Sequence, residues 1–513
     1  MTELLVGVDL GTTGTKTAVY RSDGTPLAEA NARVPLHWHG PGRVDQNPDD
    51  FYRSAVDTIA RCLQQDGVDA ERVAAVGVTG QMAGVLGLGA GWMPSTPYDS
   101  WLDLRCSEDV EWLEREVGDD LVEKTGCPPM IDHAPKIRWW RREHPDTFSS
   151  TEKWIMPGGY VAGRIAGLDS GDAFIDSTYL HFTGLAEARE GTWSEDLAGT
   201  LGVPTGRLPR IVEPSTVIGH VTTRAASDCG LREGTPVAAG LGDTAAGALG
   251  AGIVRPGQLL DVAGTAAVLA ASTDEFRPDV SERTLIFMRG AVPGQWIPLA
   301  FLSGGTLLGW FGEALAPLGD GTSEPDFDEL TAGIEEVRAG AEGLLFVPHL
   351  DGRLLPSDPA MRGAWVGLHR HHRRPHLVRA ILEGVAYEYA GYLRVLLELF
   401  PGLSFDEARV IGGGARSEAW NGIKASVLGV PYVRLDREEF SCWGAALVAG
   451  HAVGLFDDLA AAAEESTAVK GRVEPDPEDH ASYMQMVELY LDSVAALADP
   501  SHRLARLVSE EEV

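Results

Sequence analysis

Leu4-Leu5-Val6-Gly7-Val8-Asp9-Leu10-Gly11-Thr12-Thr13-Gly14-Thr15-Lys16 runs on through Thr17-Ala18-Val19-Tyr20 into Arg21-Ser22-Asp23-Gly24. It reads as a buried strand, a Gly/Thr turn, a returning strand and an Asp-Gly hairpin. The turn's glycines permit φ > 0, so successive backbone N–H groups can converge on an anion, and the threonine hydroxyls add donors. Asp9, at the strand end, is placed to meet a cation accompanying that anion. The turn leads into a strand rather than a helix and carries no Gly-Lys-Ser/Thr, so it is not a P-loop.

Some 250 residues on, Gly257-Gln258-Leu259-Leu260-Asp261-Val262-Ala263-Gly264-Thr265-Ala266-Ala267-Val268-Leu269 repeats the idea: strand, Asp, Gly-Thr turn, returning strand. Two such hairpins, one opening each half, predict an internal duplication with paired anion-binding turns. The order of later elements agrees. A helix over Asp49–Gln64 precedes a strand Val73–Val78 and the Gly80-Gln81 turn; a second-half helix precedes a strand Ala408–Ile411 and the Gly412-Gly413-Gly414-Ala415 turn. The second-half helix opens near Pro375, carries Leu377, Ile381, Val385, Tyr389 and Leu393 on one stripe, and stops at Pro401-Gly402. The halves meet where Gly and Pro cluster, around Gly250 to Gly257, which divides the chain into domains 1–250 and 251–513.

The chain's 513 residues carry 42 Lys plus Arg against 75 Asp plus Glu, a formal charge of −33, with 44% apolar residues. The composition is globular, and the acidity argues against nucleic-acid binding. Only six of the 42 basic residues are lysines. The five cysteines are odd in number and scattered, without zinc or disulfide spacing. No leader and no long apolar run is evident, so a cytoplasmic protein without membrane contact is expected.

Gly363-Ala364-Trp365-Val366-Gly367-Leu368, seven residues, then His376-Leu377-Val378-Arg379-Ala380-Ile381-Leu382-Glu383, fills every constrained position of the second-half pattern of the FGGY carbohydrate kinases. A first-half pattern is matched in part by Pro135-Lys136-Ile137-Arg138-Trp139, with His133 and Trp140 departing from it. From about Leu4 to Ala468 the chain resembles that family, within the actin, hexokinase and heat-shock-chaperone superfamily. The resemblance implies an α/β fold of two duplicated ribonuclease-H-like domains, the actin-like ATPase fold, with a cleft between them.

It also implies site residues. Asp243, in Gly240-Leu241-Gly242-Asp243-Thr244, takes the place of the catalytic base and touches the substrate. Asp9 would hold Mg2+. Gly11, Thr12 and Thr13, with Gly264 and Thr265, would clasp the ATP phosphates, and Lys16 lies near the same anion or in solvent. The adenosine site corresponds to Gly413, Gly414, Ala415 and Ser417. Gln81, Met82, Trp101, Asp103 and Arg105 would form the sugar wall, a few polar groups against an aromatic surface. Xylulose kinases, the most similar subfamily, usually carry His where this chain has Ala83. Asp176-Ser177 is either a sugar contact or a cap, and Asp261 is not assigned a metal role. The run His369-Arg370-His371-His372-Arg373-Arg374-Pro375-His376 reads as a solvated loop.

The expected activity is ATP-dependent phosphorylation of a small sugar, a ketopentose first. Alternatives are a kinase for a sugar alcohol or an aldonate such as gluconate, and, more remotely, a non-catalytic sugar or nucleotide sensor. Expected partners are the sugar and ATP, with a homodimer as a candidate assembly.

Overall fold

The computed structural model describes residues 3–264, 266–302, 304–315 and 327–511. Two seven-stranded sheets organise it. The first runs Val217–His220, Pro236–Ala238, Val73–Gly80, Leu4–Leu10, Gly14–Arg21, Pro26–Arg33, with Leu241–Gly242 added beside Val73–Gly80. The second runs Ile286–Arg289, Trp296–Leu302, Ala267–Ala271, Gln258–Ala263, Glu407–Ile411, Tyr432–Leu435, Val469–Val473.

The predicted duplication is present at the level of register. Leu4–Leu10 pairs antiparallel with its returning strand, Asp9 opposite Lys16, and parallel with Val73–Gly80, Asp9 beside Thr79. Gln258–Ala263 does the same, Asp261 opposite Leu269 and beside Val410. Each hairpin's Asp therefore sits near the end of a central strand, beside a parallel neighbour that leads into a glycine turn.

Side chains alternate across the first strand and feed two cores. Leu4, Val6 and Val8 pack with Phe51, Ala55 and Ile59 of the helix Pro48–Leu63, which Asn47 caps by accepting from the Asp49 N–H at 3.0 Å. Leu5 belongs with Ala18, Tyr20 and the second core, and Gly7 and Asp9 share its face. That face is covered by the helix Phe440–Ala452, which comes from the other end of the chain.

The approach of this helix is set by glycines. A Cβ on Gly7 would lie 1.8 Å from the Cys442 carbonyl oxygen, and one on Gly77 2.0 Å from that of Ala445. On its other side the same helix meets Asp243–Gly250, where a Cβ on Gly250 would lie 2.1 Å from the Phe440 oxygen and one on Gly444 2.1 Å from that of Ala246. Backbone packs on backbone with no side chain between. The start of Asp243–Gly250 and the Asp9 face of the first sheet are thereby held in fixed relation.

In the second half the long helix spans Arg374–Leu399, with Pro375 in its first turn and Ile381, Val385, Tyr389 and Leu393 buried along the expected stripe. It also buries two carboxylates that a hydrophobic stripe does not announce. Glu383 bonds Arg379 at 2.8 Å and Tyr483 at 2.8 Å; Glu388 bonds His349 and Tyr490, both at 2.8 Å.

Candidate active site

The strand Leu4–Leu10 ends in the turn Gly11-Thr12-Thr13, closed by the Gly11 N–H donating to the Gly14 carbonyl at 3.0 Å. Asp9 lies at its foot. Its Oδ1 is buried without a hydrogen-bond partner. Burial first, then the charges of Asp243 and Glu439, push its carboxyl up to about 7, against a smaller opposing pull from Lys16. Such a carboxylate lacks a cation. Lys16 does not supply one directly, because its ammonium is taken by Glu439 at 2.8 Å. That pair ties the first sheet to the residue preceding the helix Phe440–Ala452.

Asp243 begins the helix Asp243–Gly250. Leu241 and Gly242, just before it, pair with Thr79 and Gly80, so the strand that ends at the sugar-side turn also aligns the base candidate. Asp243 Oδ1 accepts from Thr244 N at 2.6 Å and from Thr244 Oγ1 at 3.2 Å. Burial pushes its carboxyl up to about 6, the Thr244 bonds opposing. Against an ordinary carboxylate near 4 this is a group poised closer to neutrality, as a general base needs to be.

The sugar-side residues divide into two groups. Gln81, Met82 and Trp101 are linked to the Gly11-Thr12-Thr13 turn and to the segment preceding Asp243. Gln81 N donates to the Leu10 carbonyl at 2.9 Å. The side-chain amide of Gln81 donates to Gln46 Oε1 at 2.9 Å, and that of Gln46 donates to the Thr12 carbonyl at 2.9 Å. Gln81 Oε1 remains buried without a partner. Trp101, half-exposed, donates from its indole to Thr12 Oγ1 at 2.9 Å. Met82 lies against Gly242, where an added Cβ would meet its Cε at 2.5 Å. Ala83 adopts φ 59°, an uncommon left-handed conformation for a residue with a Cβ.

Asp103 and Arg105 are spent on each other. Arg105 donates from Nε to Asp103 Oδ1 at 2.7 Å and from Nη2 to Oδ2 at 2.6 Å, and Oδ2 also accepts from Val44 N at 2.7 Å. Arg105 further lies 3.6 Å from Asp99 and 3.8 Å from Asp45, with its side chain 7% exposed. Lys136, from the partly matched first-half pattern, is buried and donates to the Asp103 carbonyl at 3.1 Å.

Asp176 caps the 3-10 turn Ser177–Thr183, its Oδ1 accepting from Thr178 N at 3.0 Å and Thr178 Oγ1 at 2.5 Å. Burial pushes its carboxyl up to about 7, these bonds opposing. At 3% exposure it is buried in the protein as a cap.

On the second domain, Gly264 N donates to the Val262 carbonyl at 3.0 Å; Thr265, also expected to touch phosphate, lies outside the described residues. The turn Gly412–Ala415 packs on this hairpin, a Cβ at Gly414 falling 2.8 Å from that of Ala263. Gly413 has open space around it. Ser417 caps the helix Glu418–Leu428 by accepting from Trp420 N at 3.2 Å, and Asn421 donates to the Ala415 carbonyl at 2.9 Å. Asp261 differs from Asp9. It is fully buried, ion-paired with Lys424 and hydrogen-bonded by Tyr389 at 2.9 Å, so its charge is already answered. The histidine run is a loop only as far as Arg373; Arg374, Pro375 and His376 open the long helix, and His371 and His376 each lie 3.6 Å from Glu342. Among the described residues no group of three or more His, Cys, Asp or Glu is arranged to hold a metal ion.

Gln46, Glu439 and Thr178 are part of this site and carry no sequence signal of it, since each acts on a segment distant along the chain.

Known proteins share the arrangement. The profile of the FGGY family of carbohydrate kinases, N-terminal domain, matches residues 4–250, and that of its C-terminal domain matches residues 262–453. Xylulose kinase of Bacillus subtilis is 29% identical over 492 residues, 95% of each chain, and gluconokinase of the same organism 26% over 475 residues, 90% of each. The crystal structure of xylulose kinase from Rhodospirillum rubrum superposes with a TM-score of 0.89 at 29% identity, covering 98% of this chain and 100% of that one. Two duplicated sheets with an actin- and hexokinase-like arrangement, and family profiles spanning both halves, lead to one conclusion: the chain belongs to the FGGY family of carbohydrate kinases, phosphotransferases that use ATP.

Proposed function

We propose that this kinase phosphorylates a hydroxyl of a small neutral sugar, a ketopentose as in xylulokinases, with Asp243 as the general base. The observation that carries the choice of a neutral sugar is the fate of Arg105. An aldonate needs a cation for its carboxylate, and the two cations at the sugar wall are committed, Arg105 to Asp103 and Lys136 to a backbone carbonyl. Asp45 and Asp99 stand beside Arg105 as well. A second anion there would meet an acidic surround. A sugar alcohol remains the second reading, because Ala83 leaves space where xylulose kinases usually carry His.

In this reading the sugar lies against Trp101 and Met82, with the free Oε1 of Gln81 accepting from one of its hydroxyls. The hydroxyl to be phosphorylated gives its proton to Asp243. Both Thr244 bonds fall on Oδ1, which leaves Oδ2 for that hydroxyl. At pH 7 a carboxyl held at about 6 is mainly ionised and able to accept. Little nucleophilic push is needed, because phosphoryl transfer passes through a loose transition state, and positioning supplies most of the catalysis. Backbone N–H groups of Thr12 and Thr13, in the turn that the Gly11 N–H closes, hold the phosphates together with the second hairpin, whose Gly264 N–H is likewise taken by a backbone carbonyl, while Gly413, Gly414, Ala415 and Ser417 receive the adenosine.

Asp9 fits a divalent cation accompanying ATP: its Oδ1 has no partner, and its raised carboxyl is relieved by positive charge. With no all-protein cage among the described residues, the ion would share ligands with water and phosphate, as Mg2+ does. When bound, Mg2+ neutralises charge developing on the transferred phosphoryl group. The five cysteines, all buried and free, suit a reducing cytoplasm.

ADP release measured with a panel of ketoses, aldoses, polyols and aldonates tests the reading. A ketopentose should turn over fastest. Gluconate turning over fastest would overturn the neutral-sugar choice, and no turnover on any compound would move the chain to the sensor class.

A further inference from the structure

We propose that Thr178 and Tyr179 are positioning residues for the base: one buried turn that grips the two strand ends carrying Asp243 and the Gln81-Met82 segment. The proposal deepens the kinase reading and rests on Asp243 as base.

Asp243 has little of its own to fix its carboxylate. Among the described residues the carboxylate is bonded by Thr244 alone, the next residue, and the Asp243 carbonyl takes a 3.4 Å bond from Ser441 Oγ, so the carboxylate's place is inherited from the backbone before it. That backbone is Gly242, whose N–H precedes the helix Asp243–Gly250 and has no partner within it. Thr178 Oγ1 accepts this N–H at 2.9 Å. The direction of the hydroxyl is fixed as well, because its proton is given to Asp176 Oδ1 and only lone pairs remain for Gly242. Thr178 is 0% exposed. It cannot touch sugar or nucleotide, and acts only through Gly242.

Tyr179, the next residue, donates its hydroxyl proton to the Gly80 carbonyl at 2.9 Å. Gly80 is the register partner of Gly242 and immediately precedes Gln81. The same turn therefore holds both sides of the space in which base and sugar meet, while Met82 closes on Gly242 from above. A displacement of about 1 Å in such an arrangement costs on the order of a hundredfold in rate.

The test compares Thr178→Val, which keeps the shape and loses the acceptor, with Thr178→Ser, which keeps the acceptor and loses the methyl. Tyr179→Phe is the third variant and Asp243→Asn the control. Thr178→Val should lower kcat by roughly 10- to 100-fold with KM for sugar and ATP within about threefold. Thr178→Ser should recover kcat to within about threefold of wild type, although it too gives up buried contacts. Tyr179→Phe should lower kcat at unchanged KM. A purely structural role predicts instead that both Thr178 variants lose melting temperature and activity together, and Ser falling as far as Val overturns the proposal. So does wild-type kcat in Tyr179→Phe, which decides the matter even if Thr178→Val fails to fold. If Asp243→Asn is dead while Thr178→Val turns over normally, the clamp is refuted and the base stands. If Asp243→Asn itself turns over near wild type, the base reading is what has failed.

Discussion

Asp9 and Asp261 stand near the ends of the corresponding strands of the two hairpins, Asp261 one residue further from its glycine, and have opposite chemistry. Asp261 has its own cation in Lys424 and a further donor in Tyr389, whereas Asp9 has an unpartnered oxygen and neighbouring negative charge. Two consequences can be measured. Lys424→Met, which leaves Asp261 buried and unpaired, should cost about 3 to 5 kcal/mol in urea denaturation; a cost below about 1 kcal/mol would show the pair to be dispensable. Asp9→Asn should abolish turnover while stabilising the ligand-free protein above pH 7. The carboxyl holds its proton up to about 7 in the fold but only to about 4 unfolded. The unfolded chain thus ionises first, and the stability due to this group falls as pH rises across that window. Asn removes the fall, raising the melting temperature at pH 8 and leaving it little changed at pH 4. Asp243 gives the corresponding prediction in activity. In the proposed mechanism its ionised form is the base, so kcat/KM should decline as pH drops through about 6. A flat rate down to pH 5 contradicts that role.

At the scale of elements, the helix Phe440–Ala452 decides how the halves meet. It reaches the first sheet because Gly7 and Gly77 stand side by side in register and leave its backbone room. Gly77→Ala places a methyl 2.0 Å from the Ala445 carbonyl oxygen, a backbone clash that no rotamer relieves. It should cost at least about 3 kcal/mol and lower activity through a shifted Asp9 face. Full stability in thermal unfolding would show that the helix can yield. The hairpins, the helix Pro48–Leu63 and the helix Arg374–Leu399 were legible in the sequence because period-2 and period-3.6 patterns are local. The docking of Phe440–Ala452 was not, since it joins residues more than 360 positions apart, such as Gly77 and Ala445. Nor were the buried Glu383 and Glu388, which the amphipathic stripe of their helix hides.

For the whole molecule, a charge of −33 repels the anion it must bind. Lys16 softens this little, being paired with Glu439. Screening should therefore help: kcat/KM for Mg-ATP should rise as ionic strength is raised from about 10 to 150 mM, as the Debye length shrinks to about 8 Å. A fall over that range would show that local positive potential, rather than the global field, governs encounter.

The sequence by itself determined the duplicated hairpins, because each depends on a short run of residues with its own backbone logic, and it offered Asp9 from the first hairpin and Asp243 from the family resemblance as candidates. Tertiary structure alone decided which candidates are free to act. Asp103 and Arg105 are both expected at the sugar wall, yet they neutralise one another. Asp9 and Asp261 share a motif, yet only one lacks a cation. Whether a charged group binds a ligand or serves the scaffold depends on what stands within about 4 Å of it, and those neighbours come from distant parts of the chain.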